Sequence, residues 1–378
     1  MLMMPRRIFL VAVLLFAVSG TVFLPARQAP AAAQLPDRLS DEAFWNLVSN
    51  LSEPGGSFRS NNFVSNEMTF QYVIDDLLRK TNTGGVYLGV GPDQNFTYIV
   101  ALRPKIAFIV DIRRLNMLEH LMYKALLELS NDRGDFLSRL LSREAVTEIG
   151  PDSTAEELVR AFERANPNRQ LFNKNFQAII SHLKETHGFD LSSDDESRIE
   201  FVLHAFFIAG SNLSYAGISA RARRMRPTYG DLMMETDAQG LNRSYLSSEE
   251  NFQVLKDLEK RNLIVPVVGN FAGPKAIRAI SDYLKDREAI VTTFYVSNVE
   301  QYLFQESEDW RNFYNNVDAL PLNSTSTFIR SVFNGDPRIP RQKQRSQSAS
   351  LLSSIPAVLK AFHSGEIQVY DDVVGMSQ

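Results

Sequence analysis

Val86-Tyr-Leu-Gly-Val-Gly-Pro-Asp-Gln-Asn-Phe-Thr-Tyr-Ile-Val-Ala-Leu-Arg-Pro-Lys-Ile-Ala-Phe-Ile-Val-Asp111 decides the fold of this 378-residue chain. It reads as an apolar strand, a glycine turn with Gly89 and Gly91, a short helix, and a second apolar strand, Ile106 to Val110, that ends on Asp111. That order is the first half of a nucleotide-binding α/β unit. Glycines in the turn let the backbone approach a ligand. An acid 22 positions beyond Gly89 is placed to accept hydrogen bonds from ribose hydroxyls. The competing structural readings are an ordinary tight strand-to-helix turn and an Asp111 that caps the helix after it.

The ligand class is narrowed by Asp93, which stands where a dinucleotide fold places its third glycine. A carboxylate there is expected to repel phosphate and to tolerate a cationic ligand. At this point the stretch resembles motif I and the acidic second-strand end of class I S-adenosylmethionine-dependent methyltransferases. Residues from about 50 to 310 look more closely like a bacterial family with that fold, through Val86 to Phe96 and through Val267-Val-Gly-Asn-Phe-Ala-Gly-Pro274. The resemblance implies a Rossmann-like α/β fold of the class I methyltransferase type: a mostly parallel sheet with helices on both faces and a large helical insertion. It implies S-adenosylmethionine as cofactor, held by Gly89, Gly91, Asp93 and Asp111, and leaves the chemistry of the family unassigned. The methyltransferase pattern usually has an acid two residues before the first glycine; this chain has Tyr87 there.

The α/β pattern returns downstream. Leu263 to Val268 is a continuous apolar run, as a buried parallel strand requires, and Gly269-Asn270-Phe271 turns it into a helix from Lys275 to Lys285; Ala289 to Val296 is the next strand. This ordering predicts Asn270 and Tyr295 at the carboxyl edge of adjacent strands, as substrate-binding residues. Asn270 serves equally well as a turn cap. The turn occupies the place of the Asp- or Asn-Pro-Pro-aromatic motif of many methyltransferases, but without the double proline.

The expected organisation is an N-terminal signal or anchor over 1–33, an N-terminal segment and first half of the Rossmann-like domain over 34–132, a mainly helical insertion over 133–245, and the second half with a C-terminal extension over 246–378. Helical periodicity from 154 to 210 predicts a packed layer that roofs the site, with Phe201 to Ile208 in a buried helix. Asp194, Asp195 and Glu196 are placed to start a helix, where carboxylates favour the macrodipole. Thr327 to Phe333 and Glu366 to Tyr370 are expected to pair, separated by a basic loop and a helix from Ser350 to His363. The polar segment Phe58 to Glu67 reads as a capping loop, in the region that in methyltransferase-like folds folds over the cofactor.

Arg6-Arg7, the apolar run Ile8 to Val18 and Ala31-Ala-Ala33 form an export-signal pattern, which predicts a periplasmic or secreted body beginning near Gln34. Left uncleaved, the segment is an N-terminal membrane anchor, the one membrane contact expected. S-adenosylmethionine is made in the cytoplasm, so this address argues for the alternative function, a non-catalytic binding or structural module. The chain has no cysteine, which excludes disulfides and thiolate chemistry. Without residues 1–33, which hold three arginines and no acid, 37 basic residues face 44 acidic ones, net −7. A mildly acidic body predicts a small-molecule ligand and no nucleic-acid partner, despite basic clusters at Arg221 to Arg226 and Arg338 to Arg345. No Walker loop and no Gly-x-Ser-x-Gly elbow is present. No metal is expected: the five histidines form no recognised ligand motif, and His182 and His187, five apart, fall on different faces of an α-helix.

Overall fold

The computed structural model describes residues 34–144, 146, 149–215, 217, 226–333 and 348–377; the export segment and both basic clusters except Arg226 lie outside these residues. Strands β1 (Val86–Gly89), β2 (Ile106–Asp111), β3 (Ile264–Val268), β4 (Val291–Ser297), β5 (Thr327–Phe333) and β6 (Ser348–Ser354) form one sheet in the order β3-β2-β1-β4-β5-β6. The first five are parallel, and β6 runs antiparallel to β5 at the edge. This is the α/β architecture that the sequence predicts.

Register explains why the strands are so largely apolar, with a few buried polar exceptions such as Thr293, Arg330 and Ser331. Phe108, Leu88, Phe294 and Phe328 lie side by side across four strands. Their rings meet Tyr283 of α11 (Ala276–Lys285) and Phe313 of α13 (Asp309–Asp318). Tyr295, one residue on from Phe294, points to the opposite face, where it meets Tyr98 of α3 (Gln94–Leu102). Both faces are covered, so alternation with polar residues has no place. Pro266 is tolerated because β3 is an edge strand, where a missing N–H breaks no ladder. Helix α1 (Asp41–Leu51) packs beside β3, and the chain leaving it stitches to that edge: Glu53 N–H donates to Val268 O at 2.7 Å, and Val268 N–H donates to Ser52 Oγ at 3.0 Å.

Helix α4 (Arg114–Leu129) covers β2 and β3. The insertion, with α5 (Arg133–Leu141), α6 (Ala155–Arg164), α7 (Arg169–Ser181) and α8 (Ser193–Ala209), is helical as expected, and α8 begins on the acidic run through a Ser192/Asp195 capping box. It packs on α4, however, and not over the strand ends. Phe201 and Ile208 were expected to be buried but are about half exposed, because the inward face of α8 is already filled by Val202, Leu203, Ala205 and Phe206.

Two further expectations are corrected. Tyr295 and Asn270 do not stand on adjacent strands, since β2 and β1 lie between β3 and β4. And β5 pairs with Ser348–Ser354, with Ile329 opposite Leu352, while 366–369 is irregular chain leading into α15 (Tyr370–Gly375). The serines of β6 disguise the strand, because what they satisfy is far away in sequence. Ser353 accepts from Arg330, whose guanidinium is fully buried against Glu300 of α12 (Val299–Leu303) at 2.6 and 3.0 Å. Helix α14 (Ile355–Ser364) starts five residues later than predicted.

Arg330→Met leaves Glu300 as an uncompensated buried charge, and is expected to cost about 3–5 kcal/mol; adding Glu300→Gln is expected to recover most of that. Urea unfolding of the single and double variants checks this. Equal losses in both would show that shape, and not charge, governs the site.

Candidate functional site

A cleft opens at the carboxyl ends of β1, β2, β3 and β4. Here the chain's crossovers leave β1 in opposite directions, and this is where doubly wound sheets bind ligands. Its floor is Val90, Gly91, Pro92, Asp111, Ile112 and Asn270, and Tyr295 and Ser297 flank it. Its wall is the loop ahead of β1, from Phe58 and Asn62 to Glu67, together with Tyr302 from α12. Among the described residues, the insertion contributes Tyr215 alone.

Gly91 has φ +79°, a left-handed conformation that disfavours other residues, and a side chain placed there would meet open space. Gly89 and Asp93 have a different job: neither lines the cleft. A Cβ on Gly89 would come within 1.9 Å of Asn95 Oδ1. That amide clamps the turn from behind, donating to Val90 O at 2.9 Å and Pro92 O at 2.7 Å, and Tyr87 O–H donates to its Oδ1 at 2.9 Å. Tyr87 thus replaces the expected acid as a support for the loop. His120, kept neutral by burial that lowers its pKa to about 4, completes the clamp through Nε2 and Gly91 O at 2.8 Å.

Asp93 points away from the cleft and accepts from Tyr245 O–H at 3.0 Å. Burial pushes its pKa up to about 7. The expectation that this carboxylate repels phosphate is therefore corrected: it is turned inward and holds a proton through most of the acid range.

Asp111 sits at the end of β2 on the cleft floor, but its partner is Arg113. The guanidinium donates through Nε to Oδ1 at 3.0 Å and through Nη2 to Oδ2 at 2.9 Å, and Arg113 N–H donates to Oδ1 at 2.9 Å. Both side chains are about 7% exposed. Arg113 also donates to the carbonyls of Ser60 and Asn61, so this pair pins the wall loop to the floor. Neither sequence reading of Asp111 included this pair. Of about four acceptor positions on the carboxylate, three are used among the described residues, which leaves one on Oδ2 open to them. Asn270 caps its own turn, with Oδ1 accepting from Ala272 N–H at 3.0 Å, while its amide N–H groups have no protein acceptor among the described residues.

Sequence reasoning missed Glu67, Arg113 and Glu119. Glu67 accepts from Gln94 at 2.9 Å and from the hydroxyls of Ser297 and Ser331. Glu119 is fully buried behind Arg113, and its carboxyl is pushed well up by burial. For Glu67 the signal was the density of polar residues ahead of β1; Arg113 and Glu119, beyond β2, carried none.

The histidine reading is corrected as well. His182 to Thr186 forms a π-turn, with His187 N–H donating to His182 O at 3.1 Å, and the wider turn brings the two rings edge to face with centroids 4.7 Å apart. Both meet Glu128 of α4.

The fold and cleft define a doubly wound α/β protein with a crevice at its topological switch point. The family described as a domain of unknown function (DUF7790) matches residues 62–359, and the chain belongs to it. No curated protein matches.

Folded Asp93 releases its proton near pH 7, against about 3.8 for an ordinary aspartate. Its contribution is most favourable below pH 4, falls as pH rises to 7, and then levels off, a span of about 4 kcal/mol. Asp93→Asn is expected to remove that slope from the stability profile. His120 works in the opposite sense over pH 4–6.5, so the difference between the two proteins is the quantity to read. Identical profiles would mean that Asp93 is ionised in its pocket.

Proposed function

We propose that the cleft binds an adenosyl ligand of the S-adenosylmethionine type, and that the protein is methyltransferase-like. The observation that carries this reading is Asp111 at the end of β2, one acceptor position open, across from the left-handed Gly91 turn. Glu67, Asp111 and Arg113 give the lining a formal charge of −1, which suits a sulfonium and an ammonium better than a pyrophosphate. This supports the cationic ligand on grounds independent of Asp93. Asp111 would take a ribose hydroxyl, and the amide of Asn270 would serve an acceptor molecule. Bound donor would supply a methyl group by in-line displacement, a reaction that rests mainly on positioning.

The second reading is a binding module without transfer. It is favoured by the grip of Arg113 on both oxygens of Asp111, and by the export pattern, which separates the protein from the donor's source.

Calorimetric titration with S-adenosylmethionine and S-adenosylhomocysteine tests the proposal, with NAD as the dinucleotide control. Micromolar binding of the first two is expected. Asp111→Ala is a poor probe, since it strands a buried Arg113. Asp111→Asn keeps one acceptor for Arg113 and loses the charge, so the affinity of the folded variant is expected to fall about five- to tenfold, with a lowered melting temperature because the buried guanidinium loses its counter-charge. No heat at millimolar ligand would refute the adenosyl reading.

A further inference from the structure

Glu128, His182 and His187 come from different parts of the chain to one point. Nε2 of His182 lies 2.7 Å, and Nε2 of His187 2.8 Å, from the same oxygen, Glu128 Oε2. The three atoms all lie within 4.8 Å of one another. The other nitrogen of His187, Nδ1, is 2.7 Å from Asp41 Oδ1 at the start of α1, and Asp41 is itself held by Asn262 Nδ2 at 2.9 Å.

This arrangement has a cation missing from its simplest bookkeeping. A neutral imidazole has one N–H, yet His187 faces a carboxylate oxygen from each ring nitrogen. With the N–H donated to Asp41, two lone pairs, Nε2 and Oε2, point at each other. A positive charge must separate them, as a proton or as a metal.

We propose that Glu128, His182 and His187 form a binding site for a borderline divalent cation of the zinc type. Two imidazoles and one carboxylate are the ligands that such ions take in sites with an open fourth position. Asp41 supplies the carboxylate that, in such sites, orients a ligating histidine from behind. Lys124 Nζ occupies only the other oxygen, Oε1, at 2.6 Å. Glu128, Asp41 and Lys124 leave a formal charge of −1 before an ion enters. The nearby ammonium sets the expected affinity at micromolar. The His182 side chain is 16% exposed, which leaves the fourth position a route to solvent. Magnesium and calcium, which require oxygen ligands, are not expected to compete.

The site is independent of the proposed ligand cleft. Glu128 is one residue from the end of α4, and Arg114, beside the cleft, is at its start, ~20 Å away along the helix axis. The ion would join α1, α4 and the insertion, so its role is to fasten the insertion to the sheet domain.

The test is titration of the whole, chelator-treated protein with zinc chloride, followed by calorimetry, with cobalt as a spectroscopic substitute. One equivalent of zinc is expected, with a rise in melting temperature and the intense visible bands of four- or five-coordinate cobalt. His182→Ala and His187→Ala are each expected to weaken zinc binding at least tenfold, and Asp41→Asn about tenfold. Wild-type protein that takes up no stoichiometric zinc, or histidine variants that bind it as wild type does, would overturn the proposal and leave a proton-bridged triad. If a variant does not fold, the wild-type cobalt spectrum decides: the faint bands of six-coordinate cobalt would overturn it too.

Discussion

A parallel sheet buried on both faces has no polar surface of its own. Strand interiors here are mostly apolar, and buried polar exceptions such as Arg330 and Ser331 are spent on protein partners, so open chemistry gathers at the strand ends. The cleft follows from that constraint. At the carboxyl ends of β1 to β4 the chain leaves the sheet, and Gly91, Asp111, Asn270 and Ser297 are the first residues free of its packing rules.

Charged groups sit at the seams between layers. Asp111 with Arg113 joins the sheet edge to the wall loop, Glu300 with Arg330 joins α12 to the β5–β6 edge, and Glu128 with its histidines joins α4 to the insertion. Buried pairs of this kind add little net stability over apolar residues of the same shape, but they are costly to break singly. Their role in this protein is to fix which surfaces meet. Removal of one partner is punished more than removal of both, which makes each seam specific without making it strong.

The sheet's first half was legible because each residue's reason lay nearby. Val86 to Asp111 carries its strand, turn and helix in its own pattern, and α1 starts at Asp41 because Ser40 caps it locally. Legibility failed wherever the reason was distant. The serines of β6 make sense only beside Arg330 and Met68, and Arg113 only beside the carbonyls of residues 60 and 61. His182 and His187 were misplaced because a period of 3.6 was assumed where the backbone takes a wider turn. Asp93 was read as a charge facing the ligand, since a sequence does not say which way a side chain beside a glycine turn will face. In the site, Gly91 and Asp111 were read in the right place, while Gly89 turned out to make room for Asn95.

The stitching of α1 to β3 has a consequence for when this protein takes shape. Phe44, Val48 and Leu51 are made early, and the edge they cover is made more than two hundred residues later. Leu88, at the middle of the sheet, likewise waits for Phe294. Neighbours so remote in sequence impose a slow search, since long loops must close before their contacts repay them. The edge therefore cannot close before β3 has been made, and until then α1 keeps an apolar face without a partner, a natural handle for whatever keeps a nascent chain from aggregating.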